Sequence, residues 1–294
     1  MKVLVTGRHG QLVQSLVERA RGEPQIEIVT AGRPEVDLER PGSASEAVRS
    51  IAPDVVINAA AYTAVDLAED EPERAMRING DAAGELAAAA RAAGAPIIQL
   101  STDYVFDGEA PDPYTEDAPT SPLGAYGRSK LAGEEQVRRE NPEHLILRTA
   151  WVYSPFGSNF MKTMMRLAET RDVVNVVADQ QGNPSSALDL ADGLLTVLRR
   201  WRESSVGQGR TYHLAGTGSA TWFRFAEAAF EECRVLGLPA AEVQPIETKD
   251  WPTRAVRPRN SRLDSTRFQQ EFGFRMPDWR RSLAETVRRL HHQV

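Results

Sequence analysis

The sequence predicts an α/β fold, a doubly wound parallel sheet over residues 1–150 followed by a smaller, loop-rich region over 151–294. Three observations carry that expectation. Short apolar runs alternate with helical patterns through the first half, as in a parallel sheet covered by helices on both faces. A glycine-containing turn, Gly7-Arg8-His9-Gly10, directly follows the first run. The regularity then loosens after Trp151.

The elements follow in order. Lys2–Thr6 has the consecutive apolar residues of a strand buried on both faces, and Gln11–Arg21 repeats apolar residues at helical spacing. Ile26–Thr30, Val55–Asn58, Pro96–Leu100 and Leu145–Arg148 read as strands by the same run length. Helices are expected over Ala44–Ile51, Pro72–Ala93 and Tyr126–Glu140. Within the second of these, the Ala-rich stretch Leu86–Ala93 suits a helix lying close on a sheet. Beyond Trp151, loops are marked by Pro184, the Gly216–Gly218 segment and the Pro/Arg-rich stretch Trp251–Arg259. There is no clean linker and no repeat, and part of 185–215 is expected to rejoin the sheet.

Composition narrows the function classes. With 294 residues and 41% hydrophobic content, the chain can bury a substantial core. A net charge of -6 provides no electrostatic footprint for nucleic acid or an anionic membrane. Cys233 is the only cysteine, which excludes an intrachain disulfide and fits a reducing compartment. Val3-Leu4-Val5 is too short for a signal-peptide core, and no long charge-free apolar run occurs elsewhere, so a cytoplasmic location is expected.

Gly7-Arg8-His9-Gly10-Gln11-Leu12-Val13 lies where backbone N–H groups and a helix dipole favour a pyrophosphate. This is the dinucleotide position of a Rossmann-type fold, with Val13 standing where a third glycine would allow closer packing. His9 reads as a solvent-facing loop residue. After the second strand, Ala31-Gly32-Arg33 offers no acid to a ribose 2′-hydroxyl, whereas Arg33 could meet a 2′-phosphate. NADPH is therefore the expected cofactor, with NADH as the alternative. Asp37 and Leu38 fall in the next loop, where Asp37 could frame the adenine or cap the coming turn.

Tyr126 and Lys130, four residues apart, project from one face of a helix. An ammonium beside a phenol stabilises the phenolate and brings its pKa down from about 10 towards working pH, where acid-base catalysis is efficient. Ser101-Thr102-Asp103 closes a strand upstream and adds a hydroxyl and a carboxylate.

Seven blocks carry a family resemblance over nearly the whole chain: Gly10-Gln-Leu12, Asp37-Leu38, Asn58-Ala-Ala-Ala-Tyr-Thr-Ala-Val-Asp66, Ser101-Thr-Asp-Tyr-Val-Phe-Asp-Gly108, Tyr126-Gly-Arg-Ser-Lys130-Leu-Ala-Gly-Glu134, Arg148-Thr-Ala-Trp-Val-Tyr153 and Asp179-Gln-Gln-Gly-Asn-Pro184. Together they resemble the extended short-chain dehydrogenase/reductases and, within them, the dTDP-4-dehydrorhamnose reductase family. The resemblance implies NAD(P)H-dependent reduction of the C4 ketone of a nucleotide sugar, dTDP-4-dehydro-β-L-rhamnose. It implies Tyr126 as proton donor, Lys130 on the nicotinamide ribose and Thr102 on the reacting oxygen. Gly7, Gly10, Gln11, Leu12 and the loop Ala61-Tyr62-Thr63 would face the cofactor. Asp103 would bind the sugar, and Trp151 would line the hexose site or serve as core.

Arg254, Arg257 and Arg259 form an arginine cluster suited to a diphosphate. Ser15 and Leu188-Asp189 stand where some family members carry magnesium-binding glutamates at a dimer interface. A chain without that metal, monomeric or weakly dimeric, is therefore expected. Two other readings stay open at this point, an NAD-retaining nucleotide-sugar epimerase or dehydratase and a noncatalytic NADP-binding subunit resembling the methionine adenosyltransferase beta subunit. Tyr104 argues against a dehydratase, because in those relatives a glutamate follows the Thr-Asp pair.

Overall fold

The structure is a computed structural model that describes residues 1–292. The first half runs β1 (Lys2–Thr6), α1 (Gln11–Ala20), β2 (Glu27–Ala31), α2 (Ser43–Ile51) and β3 (Val55–Asn58). A 3-10 turn, Leu67–Glu69, leads into α3 (Pro72–Met76), a π-helical turn (Arg77–Asp81) and α4 (Ala82–Ala92). Then come β4 (Ile97–Thr102), α5 (Ala125–Glu140) and β5 (His144–Thr149). The second half adds β6 (Val152–Tyr153), α6 (Phe160–Ala168), β7 (Val173–Val177), β8 (Gln181–Gly182), β9 (Ser185–Ser186), α7 (Ala187–Trp201) and β10 (Arg210–His213). It ends with β11 (Ala220–Thr221), α8 (Trp222–Val235), β12 (Glu242–Ile246), α9 (Thr266–Phe272) and α10 (Trp279–His291).

Six strands form one sheet in the order β10-β5-β4-β3-β1-β2, with every neighbouring pair parallel. Successive strand residues face opposite sides. Val3, Val5 and Ile57 pack with Leu16 of α1 and Leu194 and Leu198 of α7, whereas Leu4 and Val56 pack with Val48, Ala83, Leu86 and Ala87 of α2 and α4. The Ala-rich helix lies tightly packed as expected, its Ala83, Ala87 and Ala90 fully buried. The order reverses between β1 and β3, and the crevice beyond the carboxyl ends of these strands is where such sheets bind ligands.

The structure departs from expectation in three places. The continuous helix predicted over Pro72–Ala93 is interrupted by the π-helical turn, where Asn79 turns inward. β10, at the sheet edge against β5, lies within the 185–215 segment expected to return to the first domain but was not picked out as a strand, because Arg-Thr-Tyr-His lacks an apolar run. The region after Trp151 is richer in helix than its Pro and Gly content predicts, with α6, α8 and α10 sharing a core around Phe225 and Trp279.

α5 comes close enough to its neighbours that glycine is required along its inner face. A Cβ on Gly133 would lie 2.1 Å from the Asn79 carbonyl oxygen, and one on Gly127 would lie 2.2 Å from that of Tyr104. Both obstacles are backbone, so only a shift of the helix relieves them. Gly133→Ala is expected to lower stability by about 1–3 kcal/mol, the usual cost of overpacking. Urea denaturation checks this, and an unchanged midpoint would show that the helix can move freely.

Candidate active site

β4 runs out at Thr102, and a 3-10 turn over Asp103–Val105 follows at once. The Thr102 hydroxyl accepts the Tyr104 N–H at 3.2 Å and donates to Asp103 Oδ1 at 3.0 Å. The Tyr126 phenol, from the first turn of α5, lies beside the same hydroxyl, so that Thr102, Asp103 and Tyr126 meet at the carboxyl end of β4. The other Asp103 oxygen is buried with no well-formed hydrogen bond, since the neighbouring Ser261 hydroxyl donates to the Gln181 carbonyl at 3.3 Å, and burial pushes the carboxyl up to about 6 although the Ser261 and Thr102 hydroxyls pull it down. A buried carboxylate with an open valence was unexpected, since its desolvation carries a penalty.

The electrostatic expectation for Tyr126 needs correction. Burial pushes the phenol above its ordinary value, Asp103 and Tyr104 push it further, and the Thr102 hydrogen bond only partly opposes them. Lys130 does not appear among its partners. Instead, its ammonium donates to the Leu100 carbonyl at 2.7 Å, and burial brings it down to about 8. Tyr126 is thus a phenol that keeps its proton throughout working pH. Beneath the site, Glu134 takes two hydrogen bonds from Arg148, at 2.8 and 2.7 Å, and one from Ser101 at 2.6 Å. Burial alone would raise this carboxyl, but the Arg148 bonds prevail and hold it low.

The glycine turn fits a dinucleotide phosphate. Gly7 has φ 98°, and α1 begins with no side-chain cap and no acid in its first turn, leaving its leading amides available to an anion. A Cβ on Gly32 would lie 3.3 Å from the Gly7 backbone, so the loops after β1 and β2 lie close together. Val13 packs against this turn and is almost wholly buried, and His9 is exposed as expected.

Among the other expected cofactor residues, Gln11, Leu12, Leu38, Asp37 and Tyr62 are already engaged, whereas Arg33 and Thr63 are exposed. Gln11 Oε1 accepts from Ser154 and Asn159, tying α1 to the second half, which leaves the backbone of Gln11 as its contribution to the turn. Leu12 packs at the edge of the core, and Leu38 is buried within it. Asp37 caps its own turn, accepting the Glu39 N–H at 3.0 Å. Arg33 is 71% exposed, with Glu39 at 3.9 Å. After β3, Ala61 is half-buried, Tyr62 buried and Thr63 exposed. The Tyr62 backbone is pinned by Asn79 in both directions, at 2.8 and 3.0 Å.

Trp151 has φ 47°, a strained conformation for a side chain of this size, and stacks on Trp222 at 3.5 Å with 5° between planes. Of the arginines, Arg257 holds Asp66 at 2.7 Å and the Tyr104 hydroxyl at 3.1 Å, and Arg254 pairs with Asp70. Arg259 is exposed and has no ion pair among the described residues. Sequence reasoning missed Asn79, which also donates to Ser129 of α5 at 2.9 Å and so links the loop after β3 to the helix bearing Tyr126. Its only signal was an Asn-Gly pair, Asn79-Gly80, in the middle of the predicted helix.

A Rossmann-type sheet, a glycine turn after its first strand and a Thr–Tyr pair at the end of β4 define a short-chain dehydrogenase/reductase-type site. Comparison with known proteins narrows this further. Residues 1–292 match the model of the RmlD substrate binding domain family, and the chain belongs to that family. It is 46% identical over 288 residues to a dTDP-4-dehydrorhamnose reductase of Sinorhizobium fredii, covering 98% of this chain and 97% of the other. Against the enzyme of that name from Escherichia coli K12 the identity is 45% over 245 residues, covering 83% and 82%. Among solved structures, the dTDP-4-dehydrorhamnose reductase of Clostridium acetobutylicum superimposes with a TM-score of 0.90 at 38% identity, covering 99% of each chain. The Bacillus anthracis enzyme in complex with NADP gives 0.89 at 34% identity, covering 98% and 99%.

Asp103 generates a stability prediction. Its native pKa, about 6, lies above the ordinary 3.8, so its stabilising contribution is fully present below about 3.8 and lost as pH rises through about 6. Asp103→Asn, which cannot ionise, is expected to be more stable than wild type at pH 7.5 by about 2–3 kcal/mol, since each unit by which the native pKa exceeds the ordinary value is worth about 1.4 kcal/mol. That gain should vanish near pH 4. Thermal melts across this range test it, and a gain independent of pH would remove ionisation as the cause.

Proposed function

We propose that the chain is an NADPH-dependent reductase that converts the C4 ketone of dTDP-4-dehydro-β-L-rhamnose into the alcohol of dTDP-β-L-rhamnose, the last step of dTDP-L-rhamnose synthesis. One observation carries the reading: Thr102 and Tyr126 bring two hydroxyls together at the carboxyl end of β4, beside Asp103. Near full-length identity to relatives named for this reaction supports it, as does the structural neighbour in complex with NADP.

NADPH supplies the hydride when bound. The chain's own groups bind, orient and protonate. Gly7, Gly10 and the backbone at Gln11 and Leu12 would cradle the pyrophosphate, with Arg33 near the 2′-phosphate and Ala61-Tyr62-Thr63 along the cofactor. Lys130 would hold ribose hydroxyls. Thr102 would donate to the reacting oxygen while Tyr126 delivers its proton. A phenol whose pKa is raised by burial still protonates an alkoxide, a far stronger base, so the raised pKa keeps the acid loaded without blocking transfer. The unpartnered Asp103 oxygen would meet sugar hydroxyls, Trp151 would wall the hexose, and Arg259, beside Gly108, is the arginine available to the diphosphate. We assign cofactor binding to the sheet-forming segments and sugar binding chiefly to the region after Trp151. Ser15, buried and bonded to the Gln11 carbonyl, and Asp189, bonded to Ser282, support a chain without a metal-bridged dimer.

Two measurements test this reading. With enzymatically prepared substrate, Tyr126→Phe is expected to reduce kcat about 100- to 10,000-fold with cofactor affinity retained. Turnover near wild type would remove Tyr126 as the acid. The second uses Lys130, whose charge is lost through about pH 8. kcat/KM is expected to fall above that pH, and Lys130→Arg, charged to above about pH 12, should move the fall out of range. A limb that stays near pH 8 in the arginine variant would assign the titration to another group.

A further inference from the structure

We infer that Glu69 is a positioning residue for Tyr126, and that the turn carrying it holds the proton donor from two sides. The inference rests on the reductase reading above. α5 begins at Ala125 behind Gly124, and Gly124 has no side chain with which to cap it. The cap comes instead from a distant part of the chain. Glu69 Oε1 accepts the Ala125 N–H at 2.7 Å, one residue before Tyr126, while Arg128 lies 3.9 Å from the other carboxylate oxygen. The fit is close, because a Cβ on Gly124 would come within 2.6 Å of Glu69 Oε1.

Glu69 closes the 3-10 turn that begins after Asp66. Asp66 accepts the Ala255 N–H at 3.1 Å through one oxygen and Arg257 Nη2 at 2.7 Å through the other. Arg257 Nη1 in turn donates to the Tyr104 hydroxyl at 3.1 Å, and the Tyr104 ring meets that of Tyr126 edge-on, with centroids 5.7 Å apart. One short turn therefore fixes the backbone bearing Tyr126 through Glu69, and the wall beside its ring through Asp66, Arg257 and Tyr104. A helix start with an unpaired N–H is free to fray. Displacement of a reacting group by about an ångström costs about 100-fold in rate.

The test is single-turnover reduction with excess enzyme, at a temperature well below every variant's melting point. Glu69→Ala is expected to slow reduction about 10- to 100-fold and leave NADPH affinity unchanged. Glu69→Gln, which keeps the length and the accepting oxygen, should restore the rate. In the Tyr126→Phe background, Glu69→Ala should cost nothing further, because the group it positions has lost its proton. A wild-type rate in Glu69→Ala, an equal loss in both backgrounds, or a parallel loss of NADPH affinity would each overturn the inference alone. Absence of turnover in the wild-type enzyme would overturn the reductase reading and the inference with it.

Discussion

Two backbone carbonyl oxygens, those of Tyr104 and Asn79, lie so near α5 that Gly127 and Gly133 touch them where any other residue would place a Cβ about 2 Å away. This seat sets the site. With the helix drawn down onto β4 and the π-helical turn, Tyr126 reaches Thr102, Lys130 reaches the Leu100 carbonyl and Glu134 reaches Ser101 and Arg148. Asn79 fastens the same helix through Ser129. A helix shifted by a side chain's width would lose all of these together, so backbone packing and chemistry are specified by the same glycines.

The buried ions below the site obey a related logic. Glu134 and Arg148 are almost wholly shielded, and each would be costly to bury alone. Their two hydrogen bonds, with Arg138 and Ser101 adding further donors, offset that penalty and keep the carboxyl ionised. The arginine also faces the Phe106 ring at 5.1 Å and suppresses protonation of His213, which burial and the nearby guanidinium bring down to about 3. Removing either ion would leave the other uncompensated, whereas the pair together ties α5 to β5.

Much of this was legible in the chain, for physical reasons that differ by element. β1 and β3 have the bounds predicted, because strands buried on both faces must be apolar throughout. That Thr102, Asp103 and Tyr126 share one site was legible only through the family resemblance, which implied that Thr102 and Tyr126 face the same oxygen. β10 was not, since an edge strand of Arg-Thr-Tyr-His has no periodic signal and joins the sheet only through tertiary pairing. The π-helical turn was hidden because Arg77-Ile-Asn-Gly-Asp81 is flanked on both sides by helix-forming sequence. Spacing puts Lys130 on the same helix face as Tyr126 but leaves its rotamer undecided, and the Leu100 carbonyl, which decides it, belongs to another element. Glu69 was equally invisible, as a cap supplied from 56 residues away leaves no local motif.

Burial moves all three titratable groups at the site in the direction that disfavours charge, raising Asp103 and Tyr126 and lowering Lys130. Their shared cause is burial away from water. Such surroundings would solvate a developing alkoxide badly, so negative charge on the reacting oxygen of the proposed reaction would have to be met by donors already in place. In the proposed reaction Thr102 and Tyr126 would be those donors, and burial keeps the Tyr126 phenol protonated at working pH. A phenolate-lowering ammonium pressed against Tyr126 would make the acid stronger but leave part of it deprotonated before reaction. With Lys130 bonded to Leu100, Tyr126 stays protonated, and in the proposed reaction its transfer to the alkoxide would be driven by the large difference in basicity between the two oxygens. In the proposed reaction protonation would accompany hydride delivery rather than follow it, because burial disfavours charge on Asp103, Tyr126 and Lys130 and would equally disfavour a free alkoxide beside them.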